Sequence, residues 1–167
     1  MMKLDQAFND NGFWKAVESW WHGLEKDRGQ RAGLRRAKSR TEVYVSPAYR
    51  NGLVEELASF ELGEPDLERL ALAAGVLANA RHLHKGHFAA VFAREGKGSP
   101  DMRDVRFRKL LAVEDGEYDE LYRMLVRFVG MCGGVASLGG LIRHTMYWND
   151  QARMNWAREY YPNRSKA

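Results

Sequence analysis

Three histidines fall within six residues: His82, His84 and His87. Imidazoles this close raise the question of a zinc site, which needs a full set of nitrogen, sulfur or carboxylate donors. No carboxylate or thiol lies beside them, and Lys85 sets a positive charge among them. The spacing therefore favours surface or phosphate-contacting imidazoles over a metal. Cys132 is the single cysteine. A thiol nucleophile needs a partner base, and nothing in the sequence pairs Cys132 with one. A single thiol also excludes an internal disulfide. Acidic blocks raise the question of a metal-dependent nuclease, yet Glu55, Glu56 and Glu61 read as a solvated helix face. The glycines of residues 130–140 lack the spacing of a phosphate-cradling loop. The expectation is no catalytic residue, no metal and no cofactor, so not an enzyme.

The basic residues say more. Arginine outnumbers lysine, 18 to 8. Guanidinium makes bidentate contacts to phosphate and stacks on bases, so the bias leans toward nucleic acid. Residues 26–40 hold seven bases and one acid, Asp27. On a helix, Arg31, Arg35 and Lys38 would share one face and Arg36 and Arg40 another. Like charges at these spacings destabilise an isolated helix by about a few tenths of a kcal/mol per pair. Such a segment calls for an anionic partner or for acidic neighbours. A second cluster spans residues 103–109. A third is Arg143, Arg153 and Arg158, with Tyr147, Trp148, Trp156 and Tyr160 beside it. Basic grooves with nearby aromatics suit single-stranded nucleic acid without sequence preference. Ion pairing between helices is the plainer alternative for each residue.

Charge distribution keeps both readings open. Residues 55–68 carry six acids and residues 114–120 five, with no base in either stretch, although the net charge is only +4. The remaining chain carries 26 bases and 11 acids. The protein is thus basic with two acidic patches.

The elements that must position these groups are helical. The 167 residues suit one domain or two small helical halves. Apolar residues at 45% can bury enough surface to exclude a disordered tail. Residues 128–142 form the longest weakly polar stretch, too short to span a membrane and interrupted by five glycines. With no apolar leader near the start, the expected location is the cytoplasm. Phe13, Val17, Trp20, Trp21 and Leu24 recur at helical spacing and predict an aromatic core stripe. Residues 42–45 are the one strand-like run, closed by Ser46 and Pro47. Helices are predicted over 48–60, 67–84, 87–94, 102–113, 118–129, 137–147 and 149–161. Residues 94–100 read as a linker. The expected architecture is all-α: two packed helical bundles, 1–96 and 97–167, with roughly seven to nine helices.

Several stretches, in this order, carry a resemblance. The first is Gly29-Gln30-Arg31-Ala32-Gly33-Leu34-Arg35-Arg36-Ala37, behind the Trp-rich helix. Arg106-Phe107-Arg108-Lys109-Leu110-Leu111 is the second. Asp119-Glu120-Leu121 follows, running into a helix with Leu125. Tyr147-Trp148-Asn149-Asp150 and Trp156-Ala157-Arg158-Glu159-Tyr160-Tyr161 complete the set. Their order and spacing resemble the small subunit of the type I-E CRISPR surveillance complex, the CasB family of Cascade. The resemblance implies two helical bundles and a non-catalytic subunit, present as a pair in a larger ribonucleoprotein. It implies guide RNA, target DNA, the displaced DNA strand, other Cascade subunits and a second copy of itself as partners, and no membrane.

An R-loop exchanges one duplex for another of similar stability, so modest contacts to backbone can tip the balance. Arg31, Arg35, Arg36, Arg106, Arg108, Lys109, Arg143 and Arg153 are the expected phosphate contacts, none of them a base reader. The acidic patches would face basic neighbouring subunits. A standalone helical DNA-binding regulator is the alternative, and it would need a base-reading recognition helix. A third reading is an assembly module whose arginines pair only with protein carboxylates.

Overall fold

The computed structural model describes residues 1–145 and 147–164. The chain divides into two compact units, Met1–Ala78 and Asn79–Ala167. Eleven α-helices lie among the described residues, with one two-stranded sheet. The fold is mainly helical, as expected, but the helix count exceeds seven to nine. The excess is in helices of three to five residues, too short to show a periodic pattern.

The first unit holds α1 (Leu4–Ala7), α2 (Asn11–Gly23), α3 (Arg28–Arg36), α4 (Arg40–Tyr44), α5 (Val54–Glu56) and α6 (Glu64–Ala78). Asp10 caps α2 by accepting from the Gly12 N–H at 2.7 Å. Phe13, Val17, Trp20, Trp21 and Leu24 are all buried, so the aromatic stripe is core. The Trp21 indole N–H donates to the Leu77 carbonyl at 2.9 Å. In α6 every residue from 70 to 78 is buried. A helix apolar on all sides must be central, and α3 and α4 both pack on it.

Three predicted elements differ here. Residues 42–45 are not a strand; they complete and follow α4. Ser39 caps α4: its hydroxyl accepts from the Glu42 N–H, and the Glu42 carboxylate accepts from the N–H of Lys38, just before the cap. The cap overrides the β-branched run and buries Val43. Lys38 lies past the end of α3, off the face expected to join it to Arg31 and Arg35. The helix expected over 48–60 is divided into a π-helical turn (Tyr49–Leu53), α5 and a 3-10 turn (Ala58–Phe60).

The second unit holds β1 (His82–His84), α7 (Phe88–Glu95), α8 (Pro100–Leu111), α9 (Tyr118–Met131), β2 (Val135–Ser137), α10 (Leu138–Thr145) and α11 (Asp150–Tyr160). The strands pair in parallel, with Leu83 opposite Ala136. The helix expected to reach residue 84 therefore ends at Ala78. Gly133 and Gly134 have φ of 70° and 86°, a left-handed pair that L side chains rarely adopt. Their turn ends α9 and brings the Gly134 carbonyl to the Arg81 N–H at 2.7 Å, which starts the ladder.

The core of this unit is aromatic. Phe92 stacks on Phe128 at 4.1 Å between centroids, and Phe107 on Tyr160 at 3.9 Å. Because α7 packs against α8, α9, α10 and α11, it belongs to the second unit. The division of the chain thus falls at 78/79 rather than at the expected 96/97. The predicted linker over 94–100 lies inside the second unit.

Candidate nucleic-acid interface

Each unit carries its own basic residues. In the first, Asp27 caps α3 by accepting from the Gln30 N–H at 3.0 Å. Leu34 is the one buried residue of this helix. Arg31 and Arg35 are one turn apart, and both turn Nε onto the Ala78 carbonyl, at 3.4 and 3.0 Å. That oxygen belongs to the last turn of α6, where carbonyls lack helical partners and the helix dipole is negative. Arg36 is exposed and makes no ion pair among the described residues. Arg40 pairs with Glu68 at 3.1 Å, so one of the seven bases is matched to the nearby acidic patch. Glu64 in the same patch holds Arg50 through two bonds and takes the Tyr44 hydroxyl. The two bonds from Arg50 hold the Glu64 carboxyl below its usual range, with the Tyr44 bond adding to them.

In the second unit the cluster on α8 splits by face. Arg103 is buried and donates to the carbonyls of Gly96 and Gly98, at 3.0 and 2.8 Å. Arg106 donates to the Lys97 carbonyl at 2.6 Å. These two arginines pin the loop before α8. Arg108 and Lys109 are exposed on the far side. Lys109 lines a groove of about 490 Å³ with Glu120, Arg123, Met124 and Arg127. Arg108, Lys109, Arg123 and Arg127 make no ion pair among the described residues. Arg123 and Arg127 were missed by the sequence reading. The signal was available: they sit four apart on α9, opposite the buried Leu121, Leu125 and Phe128.

The C-terminal cluster does not form the expected aromatic groove. Trp148, Trp156 and Tyr160 are core residues, and of this set Tyr147 alone is exposed. Arg153 is an internal clamp. Its Nε donates to the Leu111 carbonyl at 3.0 Å and one terminal nitrogen to the Val113 carbonyl at 2.6 Å. Asp115 and Asp150 pair with it, and its guanidinium lies 5.7 Å from the Trp148 ring centre. Arg143 is exposed in the last turn of α10.

The histidines do not converge. His82 is exposed, the His84 Nδ1 accepts from the Gly86 N–H, and His87 pairs with His144. No group of three or more metal-ligating side chains is placed to hold an ion among the described residues. Cys132 is buried, and burial, with Glu95 adding to it, pushes its thiol up to about 12. No helix of the described residues is long and apolar enough to cross a membrane.

What the fold and these surfaces define is a mainly helical protein of two units. Its exposed cations stand on helix faces, while its cysteine and the His87–His144 pair serve packing and capping. Residues 30–161 match the family model described as CRISPR-associated protein Cse2. The chain belongs to the Cse2 family, for which CasB is an older name, the small subunits of CRISPR Cascade. Among curated proteins none matches. A chain in the crystal structure of E. coli Cascade bound to a PAM-containing dsDNA target shares the fold, with a TM-score of 0.69. It is 20% identical, and the match covers 92% of this chain and 97% of that one.

Proposed function

We propose that this protein is a non-catalytic subunit that binds nucleic-acid backbone within Cascade and stabilises the R-loop, including the displaced non-target strand. It acts in the cytoplasm beside the guide RNA and target DNA, in contact with other Cascade subunits and with a second copy of itself. The observation that supports this is the groove lined by Lys109, Arg123 and Arg127, whose cations lack protein partners among the described residues. Exposed, unpaired cations attract phosphate without reading base edges. Arg36 and Arg108 are further phosphate contacts of this kind, and Arg143 contributes from its exposed position on α10. Arg31 and Arg35 act from the end of α6. Arg106 and Arg153, both engaged with backbone carbonyls, contribute by holding the helices that carry the others.

The test uses assembled Cascade carrying Arg123→Glu and Arg127→Glu together. Retention of a target duplex is followed over a salt series. The variant should assemble normally, release target several-fold faster and show a shallower salt dependence, by about 0.7 in log–log slope per lost contact to single-stranded DNA. Unchanged retention and slope would overturn the reading.

A further inference from the structure

A second concave site lies in the first unit, formed by α2, α3, the π-helical turn and α5. It is a cavity of about 390 Å³. Asp27, Glu55 and Glu56 stand at its edge, and no lysine or arginine lines it. Glu55 and Glu56 are exposed and make no ion pair among the described residues. Trp20 forms part of its lining and is 4% exposed. Its indole N–H is buried with no hydrogen-bond partner. Leaving such a donor unpaired costs about 1–3 kcal/mol.

Gly52 explains the shape of the floor. A Cβ there would lie 3.1 Å from the Trp20 Nε1 and 2.9 Å from the Gln30 Oε1. The π-helical turn thus offers bare backbone where the indole and the Gln30 amide meet. The Gln30 side-chain amide makes no hydrogen bond among the described residues, so it does not satisfy the indole. π-turns within helices occur frequently at functional sites.

The site therefore asks for two things at once: positive charge at the edge and a hydrogen-bond acceptor at the floor. A bare polyamine supplies only donors and would leave the indole unpaired. A peptide segment with lysine or arginine supplies both, through its side chain and its main-chain carbonyl. We propose that this cavity docks a lysine- or arginine-bearing loop of a protein partner. The inference rests on the cavity and not on the strand-binding groove, so either can fail without the other.

The test is NMR of the ¹⁵N-labelled full chain, with the Trp20 indole signal assigned by triple resonance. The probe is the blocked peptide acetyl-Gly-Lys-Arg-Gly-amide. It should shift the Trp20 indole signal saturably. Glu55→Gln with Glu56→Gln should weaken binding about fivefold, the effect of two exposed ion pairs. Acetyl-Gly-Ser-Ser-Gly-amide, spermidine and magnesium chloride should leave that signal in place. A Trp20 indole unmoved by the basic peptide would overturn the proposal. So would an equal shift with spermidine or magnesium, or undiminished binding by the double variant.

Discussion

The Nε2 of His87 lies 2.7 Å from the Nδ1 of His144, with the two rings stacked 4.8 Å apart. The His87 Nδ1 accepts from the Ala89 N–H at 3.0 Å, capping α7. Its ring proton must then sit on Nε2, so His87 donates to His144, and both tautomers are fixed. Neither ring can take a second proton without losing the cap or setting two donors face to face.

Stability should accordingly fall with acid. Burial, with His144 adding to it, lowers His87 from 6.5 to about 4. Burial, then Arg143, lowers His144. The unfolded chain therefore takes up protons that the native chain refuses, and stability is lost as pH falls. The contribution should be full above about pH 6.5 and decline toward pH 4, by on the order of 2–3 kcal/mol. Urea unfolding at pH 7.5 and 4.5 measures it. His87→Asn keeps a cap acceptor and should flatten the dependence; an unchanged slope would contradict the assignment.

Arg153 and Arg123 should separate cleanly in thermal melting. Arg153→Ala leaves the Leu111 carbonyl without its side-chain donor and the Val113 carbonyl with the Trp148 indole N–H alone, and should cost about 1–3 kcal/mol. Arg123→Ala removes an exposed side chain and should stay within about 0.5 kcal/mol. Equal losses would mean that Arg123 is structural.

Gly52→Ala should destabilise by about 1–3 kcal/mol, because the added methyl collides with Gln30 and Trp20. Combining it with Gln30→Ala should recover part of that loss, since the amide is the closer atom. Strict additivity of the two changes in denaturant unfolding would refute the collision.

Cys132 should resist alkylation. Thiolate is the reactive form, and a buried thiol pushed up to about 12 supplies almost none at pH 8. Iodoacetamide should label the protein in 6 M guanidinium and leave the native state unmodified by mass spectrometry.

The long elements were legible because their periodic signal extends over several turns. The stripe from Phe13 to Leu24 and the apolar face of α6 recur in the fold. Residues 42–45 were misread because valine and tyrosine suit strands, while the decisive groups, Ser39 and Glu42, act through caps three residues apart. β1 and β2 were illegible: three-residue strands 53 positions apart carry no pattern of their own. For the candidate interface, spacing revealed which arginines share a face but not what they touch. Arg103, Arg106 and Arg153 donate to backbone carbonyls, and carbonyls leave no trace in side-chain identity.

The placement of α7 has a consequence for synthesis on the ribosome. The helices with extensive packing on α6, α3 and α4, precede it in the chain. Phe88 and Phe92 must wait for Trp156 and Tyr160. At about 5–20 residues per second, these two contacts can form only roughly 3–14 s after their phenylalanines are made. The second unit thus completes its aromatic core only when its last helix has been made.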